Sequence, residues 1–304
     1  MKKIIITGSN GFLGSHIAEE FSRNSWHVTG IDRRPGSQKT ECKTHISHIQ
    51  SEVPSIHFDE ILLSQQPELL IHAAGPSSVS DSIKNPLQDF EGSIMFFFNV
   101  LDAIRRCSPQ TRLIFLSSAA VYGNPTTLPI SETAPRHPIS PYGFHKMICE
   151  KLIEEFFTIY KIRSCSARIF SSYGPGQKKM VLWDISRKAL EGSSVNLFGS
   201  GKETRDLIHT TDLSRCIRLI AENGSFSAES YNIGNGVELS ISTLAKEMVH
   251  ALGTNNDIVF NQKVKEGDPL RWCADISRIQ ALGYRSTVSL TEGLQGYAEW
   301  VKSQ

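Results

Sequence analysis

Tyr142 and Lys146 are the residues of this chain whose types and spacing are best suited to acid–base chemistry. Residues four apart in a helix share one face, and Pro141 directly before them favours a helix start. An ammonium group close to a phenol stabilises the phenolate, which is able to take a proton from an alcohol while hydride leaves the carbon. Ser118 ends a predicted strand and is able to place a hydroxyl beside the tyrosine. The same spacing also occurs by chance, so a solvated surface pair is the alternative interpretation.

The first residues predict a strand, a glycine-rich turn and a helix. The β-branched run at 4–6 is typical of a strand buried on both faces of a parallel sheet. Gly8, Gly11 and Gly14 then give the spacing G-x-x-G-x-x-G. Such glycines permit a tight turn, a close backbone approach to a pyrophosphate and close packing of the helix on the strand. The helix N-terminus beyond them favours anions. An ordinary turn is the alternative.

An acidic residue ends the next predicted strand. Asp32 lies 18 residues after Gly14, close to the expected position of an acid that binds the ribose of a dinucleotide. A carboxylate there accepts the ribose hydroxyls of NAD and repels the 2′-phosphate of NADP. Arg33 and Arg34 follow directly, and a nearby arginine is one way to hold that phosphate. We therefore expect NAD and keep NADP open; a turn capped by Asp32 is the structural alternative.

Composition sets limits on the class of protein. The 304 residues include 32 lysines and arginines and 31 aspartates and glutamates, which gives no reason to expect nucleic acid or an anionic membrane as a partner. The apolar runs fall short of a membrane span, and the N-terminus enters the first strand directly, so we expect neither a membrane anchor nor a signal peptide. Six scattered cysteines predict reduced thiols of a cytoplasmic protein and no metal site. They are Cys42, Cys107, Cys149, Cys165, Cys216 and Cys273.

Strand and helix patterns alternate along the first part of the chain and predict a parallel, doubly wound α/β sheet. The clearest patterns are strands at 68–72 and 112–118 and helices at 89–106 and 142–160. Residues 33–57 show no firm pattern beyond short strand fragments, and a solvent-facing loop is expected around His45, His48 and His57. Ligands of such sheets bind beyond the carboxyl ends of the strands. We therefore expect the polar and small residues that follow these strands to share one edge. They are Gly8, Asp32, Gly75 and Ser118.

These motifs resemble those of extended short-chain dehydrogenase/reductases of the NAD-dependent epimerase/dehydratase family, which act mostly on nucleotide sugars. The resemblance covers nearly the whole chain. Beyond the residues already named, it depends on His72-Ala73-Ala74-Gly75, Ser117-Ser118-Ala119-Ala120-Val121-Tyr122-Gly123, Arg168-Ile169-Phe170, Tyr173-Gly174-Pro175-Gly176, Arg205-Asp206-x-Ile208-His209 and Gly267-Asp268-Pro269. It implies a Rossmann-type doubly wound parallel sheet with a smaller C-terminal α/β substrate-binding domain. We expect 1–170 with about 207–234 in the first domain, and about 171–206 with 235–304 in the second.

The family's site residues are carried over by motif. The resemblance implies that Ser118 binds the reacting oxygen of the substrate, that Tyr142 is the acid/base and that Lys146 holds the nicotinamide ribose. Arg205 matches the arginine that grips the nucleotide diphosphate, and an ion pair with Asp206 is the structural alternative for it. Besides Tyr142 and Lys146, the expected cofactor contacts are Gly8, Asn10, Gly11, Phe12, Leu13, Gly14, Asp32, Arg33, Ala73, Ala74, Gly75, Ser117 and Phe170. The expected substrate contacts are Ser118, Ser171, Arg205 and Trp272.

Two alanines narrow the reaction. Dehydratases of the family carry an Asp-Glu pair where Ala119 and Ala120 stand, and decarboxylases carry a glutamate at the position of Ala120. Methyl groups do not move protons, so the resemblance implies redox at one carbon of a nucleotide-diphosphate sugar. The expected activity is epimerisation, at C4 by way of a transient 4-keto sugar. An NAD(P)H-dependent keto-sugar reductase remains open, as does a non-catalytic dinucleotide sensor.

The chain departs from the family at Ser171, where asparagine is usual, and at Ser77, where characterised 4-epimerases have a lysine. Trp272 aligns roughly with a position that gates pocket size in 4-epimerases, and its bulk predicts poor acceptance of N-acetylated sugars. The family usually pairs two subunits through two helices of each, here near 87–106 and 142–160, so the resemblance implies a homodimer.

Overall fold

The buried aliphatic runs of the sequence form the strands of one central sheet. The computed structural model describes residues 2–35, 46–263 and 267–304. Its strands are β1 (Lys3–Thr7), β2 (His27–Asp32), β3 (Ile46–Gln50), β4 (Leu69–His72), β5 (Arg112–Ser118), β6 (Ser164–Ile169), β7 (Ser171–Tyr173), β8 (Ser194–Leu197), β9 (Thr204–Arg205), β10 (Leu207–His209), β11 (Ser227–Ile233), β12 (Leu239–Ser240) and β13 (Asp257–Phe260). Cys42 and His45 lie outside the described residues.

Helices lie between these strands. They are α1 (Phe12–Arg23), α2 (Ile56–Gln65), α3 (Val79–Lys84), α4 (Pro86–Phe90), α5 (Phe96–Cys107), α6 (Pro141–Tyr160), α7 (Met180–Glu191), α8 (Thr210–Asn223), α9 (Ile241–Leu252), α10 (Ser277–Ala281) and α11 (Leu290–Lys302). A π-helical turn, Glu91–Met95, joins α4 to α5, and a 3-10 turn, Ala119–Tyr122, follows β5. None of the helices in the described parts of the chain is long and apolar enough to cross a membrane.

The central sheet has seven strands in the order β11-β6-β5-β4-β1-β2-β3, and every pairing in it is parallel. The order reverses between β1 and β4, which is the position where parallel α/β sheets bind ligands. The doubly wound fold predicted from the sequence is therefore confirmed.

Each face of the sheet packs against helices through aliphatic and aromatic side chains. One face packs against α1 and α8, and the other against α2, α5 and α6. A third apolar cluster lies away from the sheet, among α7, α9, α11 and β8. The five described cysteines are free thiols, and all but Cys273 are buried.

The predicted elements form, and the structure adds detail to two of them. The strand at 112–118 has the predicted ends. One short strand within 33–57 is β3, which pairs with β2 at the sheet edge. Helix α2 begins at Ile56 because Ser55 caps it through the backbone N–H of Phe58. The expected single helix at 89–106 is divided by the π-helical turn.

Candidate active site

The turn between β1 and α1 brings backbone segments closer together than side chains would permit. A Cβ on Gly14 would lie 2.1 Å from the carbonyl oxygen of Gly8, and a Cβ on Gly8 would lie 2.7 Å from the backbone nitrogen of Ala74. Gly8 also has a φ of +73°, a conformation that favours glycine. Among the described residues, no side chain caps the first turn of α1 after Gly11. The N–H groups and helix dipole at this end therefore suit a phosphate anion.

Asp32 lies at the end of β2 and faces this turn. Its Oδ2 accepts the backbone N–H of Asn10 at 3.1 Å, and its Oδ1 accepts the backbone N–H and the Nε of Arg34 at 3.0 and 3.3 Å. Burial raises the pKa of Asp32, but the hydrogen bonds from Arg34 and Asn10 outweigh it, so the net pKa is lowered. Asp32 is thus an anion, and Arg33 beside it is exposed.

β4 ends beside the glycine turn. The backbone N–H of Ala73 donates to the carbonyl of Thr7 at 3.1 Å, and Gly75 has a φ of +116°. One residue earlier, His72 is buried, and its Nδ1 lies 2.8 Å from Thr7 Oγ1. Burial, helped by the charge of Lys146, lowers the pKa of His72 to about 3, so this ring is neutral. Ala73 and Ala74 are partly exposed and Gly75 is exposed, and the backbone of Ala73 and Ala74 lies directly against Gly8 of the glycine turn.

Ser118, Tyr142 and Lys146 come from β5 and the first turns of α6. Ser118 Oγ accepts the backbone N–H of Ala120 at 3.1 Å, so the serine O–H remains to be donated to a ligand oxygen. Lys146 is buried, and its Nζ lies 5.7 Å from the centre of the Tyr142 ring while donating to the carbonyl of Leu116 at 2.9 Å. An ammonium has three N–H groups, so two remain for a ligand and for the phenol.

Ser117, an expected cofactor contact, is hydrogen-bonded inside the protein. Its Oγ donates to Glu150 Oε1 at 2.7 Å, and Glu150 also pairs with the buried Arg168. Arg168 was named from the sequence only as part of a family motif, and Glu150 was not predicted at all. The sequence did contain a signal for this pair: Arg168 is a charged residue inside an otherwise uncharged strand pattern, and Glu150 is an acid four residues after Lys146 on the same helix.

Arg205 is held by the loop that follows β13. Its Nη1 donates to the carbonyls of Thr204 and Pro269 at 2.9 and 2.8 Å, and its Nη2 lies 3.5 Å from Asp268 Oδ2. Burial lowers the pKa of Arg205, whereas Asp268 raises it. The ion pair with Asp206 considered from the sequence is not formed in the described structure, because Asp206 accepts backbone N–H groups instead.

Asp206 joins three segments. It accepts the backbone N–H groups of Asn235, Gly236 and Ala274 at 2.7, 3.0 and 2.8 Å. Burial raises the pKa of Asp206 to about 6 against these hydrogen bonds, which lower it. The carboxylate therefore holds the strand end that carries Arg205 next to the segment that carries Trp272.

Trp272 and Phe170 form an aromatic wall. Their ring centres lie 5.9 Å apart with the planes at 69°, and Trp272 Nε1 donates to the carbonyl of Gly123 at 3.1 Å. Trp272 also lines a small cavity with Ala120 and Ser140, the residue that caps α6. Ser171, at the start of β7, is partly exposed beside Phe170.

The residues present fit a dinucleotide. At Gly8 and Gly14 the backbone leaves a cradle that a Cβ would fill. The N-terminus of α1 suits phosphates, and the Asp32 carboxylate suits ribose hydroxyls. Phe12 and Leu13 begin the helix above the cradle, and Leu13 packs against the sheet. In the described ranges, no group of three histidine, cysteine or acidic residues is placed to hold a metal ion.

Known proteins match this chain over nearly its full length. It is 29% identical over 304 residues to a putative UDP-glucose 4-epimerase of Methanocaldococcus jannaschii, covering 99% of this chain and 98% of that protein. It is also 29% identical over 302 residues to UDP-glucuronic acid decarboxylase 1 of Xenopus tropicalis, covering 96% of this chain and 70% of that protein. Among solved structures, the UDP-glucuronic acid 4-epimerase of Bacillus cereus, in complex with UDP-glucuronic acid and NAD, is 27% identical. The two folds have a TM-score of 0.90, with 99% of each chain covered.

The model of the NAD dependent epimerase/dehydratase family matches residues 4–234, which contain the glycine turn, Asp32, Ser118, Tyr142, Lys146 and Arg205. The family expected from the sequence motifs is therefore confirmed, and NAD as the expected cofactor agrees with the complex of the Bacillus protein. This chain belongs to the NAD dependent epimerase/dehydratase family.

Proposed function

We propose that this protein is an NAD-dependent nucleotide-sugar epimerase that inverts C4 of a UDP-sugar through a transient 4-keto sugar. The observation that carries the proposal is the pair of methyl side chains after Ser118. Ala119 is buried and Ala120 lines the cavity beside Trp272, so this wall supplies no second acid or base. Redox at one carbon needs none, whereas elimination or decarboxylation does. The matching 4-epimerases among relatives and solved structures support the same activity.

Residues of the glycine turn, Asp32 and Lys146 would hold the cofactor. NAD bound there would supply an acceptor for the C4 hydride and would donate that hydride back to the opposite face of the keto sugar, which inverts the carbon. Tyr142 takes the proton of the C4 hydroxyl as the base and gives it back as the acid. Ser118 donates its O–H to the same oxygen and holds it beside the phenol, because its other hydrogen bond is already made with the Ala120 N–H. Lys146 stabilises the phenolate by its charge.

Arg205 would bind the diphosphate. Its guanidinium is anchored to two carbonyl groups, so it is pre-oriented and loses little side-chain freedom on binding. Asp268, 3.5 Å away, balances its charge before the substrate arrives. A diphosphate brings two negative charges to the same guanidinium, and a planar cationic fork suits its oxygens.

A keto-sugar reductase is the second candidate. It is favoured by the exposed Arg33 beside Asp32, which is able to meet a 2′-phosphate. The two candidates differ in how they treat the cofactor, because an epimerase regenerates its NAD in each turnover and a reductase must exchange it.

The first experiment is to denature the purified protein and to quantify the nucleotide released. Near-stoichiometric NAD, followed by inversion of UDP-glucose or UDP-glucuronic acid at C4, is the expected result. Tyr142→Phe should retain the NAD and lose turnover by 100-fold or more, on the order of the contribution of a general acid–base group. Tyr160→Phe, at the exposed end of the same helix, is the matched control and should leave turnover unchanged. Protein that is purified empty and oxidises NADPH with a keto-sugar would instead identify the reductase.

We also propose a homodimer. Large apolar side chains are exposed along α4, the π-helical turn, α5 and α6, and a monomer rarely leaves so many exposed on neighbouring helices. They are Leu87, Phe90, Met95, Phe98, Phe144, Ile148, Ile159 and Tyr160. Light scattering should give twice the 33.8 kDa of one chain, and a mass equal to one chain would contradict the proposal.

Two further expectations remain proposals. The apolar cluster among α7, α9 and α11 supports a separate C-terminal substrate-binding domain. The free thiols support a cytoplasmic location. Limited proteolysis, with the fragments identified by mass, would test the domain boundary.

A further inference from the structure

A row of buried polar residues crosses the sheet at its carboxyl edge. Ser117 of β5 pairs in register with Arg168 of β6, and Arg168 pairs with Asn232 of β11. All three are at most 4% exposed. Burying a row of polar groups that includes a charge is unfavourable unless every group is hydrogen-bonded, so the partners of this row indicate what it does.

One carboxylate from α6 joins the row. Glu150 Oε1 accepts from Ser117 Oγ at 2.7 Å and from Arg168 Nε at 2.9 Å, while Oε2 accepts from Arg168 Nη2 at 2.8 Å and from Arg136 Nη1 at 3.0 Å. A carboxylate has about four acceptor positions, and these four hydrogen bonds use them. Glu150 is therefore not placed to carry protons in the reaction; its contacts are fixed ones between strands and helix.

Helix α6 contacts β5 at two consecutive residues. Lys146 Nζ donates to the carbonyl of Leu116, and one helical turn later Glu150 accepts from Ser117. The next residue of the strand is Ser118. These two hydrogen bonds join α6, which carries Tyr142, to β5 at the two residues directly before Ser118.

The residues after Ser118 are held by the same row. The 3-10 turn that Ser118 begins ends at Tyr122, whose hydroxyl donates to Asn232 Oδ1 at 2.7 Å and accepts from Arg168 Nη1 at 2.8 Å. Ser118 therefore lies between two residues with fixed hydrogen bonds: Ser117, held by Glu150, and Tyr122, held by Asn232 and Arg168.

We propose that Glu150 is a positioning residue, whose carboxylate holds β5 against α6 and so sets the placement of Ser118 relative to Tyr142 and Lys146. The inference rests on the proposed epimerase function, because turnover is its principal readout. Misplacing a reacting group by about 1 Å lowers the rate by up to about 100-fold without removing any group that touches the substrate.

The test compares Ser117→Ala and Glu150→Gln with Glu154→Gln. Ser117→Ala removes the hydrogen bond between strand and helix and leaves the ion pairs of Glu150 in place. Glu150→Gln leaves the buried Arg168 without its counterion and is the variant at risk of not folding. Ser117→Ala tests the proposal in that case as well. Glu154 lies one turn further along α6, has a half-exposed side chain and pairs with Arg136. The expected result is a fall in kcat of about 10- to 100-fold for Ser117→Ala, with KM and bound NAD unchanged. Where Glu150→Gln folds, the double variant should lose no more than the larger single effect, and Glu154→Gln should keep the wild-type kcat.

If the network only stabilises the fold, these variants should have a lower unfolding temperature but an unchanged kcat per folded, NAD-loaded enzyme. That outcome would overturn the inference. A fall in bound NAD that accounts for the lost turnover would overturn it as well. If the wild-type protein inverts no UDP-sugar, the proposed function fails separately. Amide hydrogen exchange then tests the inference: Ser117→Ala should speed exchange at residues 118–122 relative to Glu154→Gln, and equal exchange would refute it.

Discussion

The free energy of unfolding should fall at low pH because His72 is buried in its neutral form. The ring is 2% exposed, its Nδ1 lies 2.8 Å from Thr7 Oγ1, and the rings of Phe96 and Phe97 lie 5.0 and 5.2 Å from it. Burial, with the nearby charge of Lys146, lowers its pKa to about 3. The pKa of an unfolded histidine is about 6.5. Between these values the unfolded chain binds the extra proton, so the free energy of unfolding falls as the pH falls below about 6.5.

The size of the effect follows from the two pKa values. Each pH unit below about 6.5 lowers the free energy of unfolding by about 1.4 kcal/mol per buried neutral histidine. Going from pH 7.5 to pH 5 therefore removes about 2 kcal/mol through His72 alone, and further acidification continues the loss toward its folded pKa of about 3. A neutral amide in place of the ring removes this contribution, so His72→Gln should lose about 2 kcal/mol less than the wild-type protein over the same interval.

The assay is urea unfolding at pH 7.5, 6.5, 5.5 and 5, at one protein concentration because dimerisation shifts apparent stability. Bound NAD is quantified at each pH, so that cofactor release is not mistaken for protonation. His57→Gln, at an exposed surface position, is the control and should keep the wild-type pH dependence. Parallel curves for His72→Gln and the wild-type protein would refute the argument, whatever the absolute stability of the variant.

Two further predictions concern binding. Gly14→Ala should abolish NAD retention, because its Cβ would lie 2.1 Å from the Gly8 carbonyl oxygen. Gly296→Ala should retain NAD fully, because its new methyl group would meet no atom within 4 Å beyond its chain neighbours and the nearby backbone of its own helix. Arg205→Met should raise KM for a UDP-sugar about 10- to 100-fold with kcat little changed, the range expected for a lost charged hydrogen bond. Steady-state kinetics would check this, and Arg271→Met, which removes only an exposed pair with a glutamate, should keep the wild-type KM.

Local patterns were sufficient for the central strands and for the glycine turn. The β-branched run of β1 and the aliphatic run of β5 indicate burial on both faces, and the sheet order then brings Gly8, Asp32 and Ser118 to one edge. These features were predictable because each depends on residues a few positions apart.

Features that depend on distant partners were not predictable. β3 has a partly polar sequence with no fully buried residue, and only its pairing with β2 makes it a strand. Arg205 and Asp206 are adjacent in sequence, which suggested an ion pair. The fold instead directs Arg205 toward Asp268 and Asp206 toward backbone N–H groups of two other segments. Glu150 was missed for the same reason, since its partners lie 18 and 33 residues away.

The carboxylate of Asp206 closes loops of the chain, as a disulfide does in other proteins. Its hydrogen bonds join residues 29, 30 and 68 positions away, so one side chain fixes the ends of two long segments at once. The entropy of closing a loop grows only slowly with its length. Insertions in the surface turns between Gly236 and Ala274 should therefore cost little stability, while an acid at this position keeps the two ends in place. Variation in substrate could then accumulate in the intervening segment without disturbing the sheet that holds the cofactor.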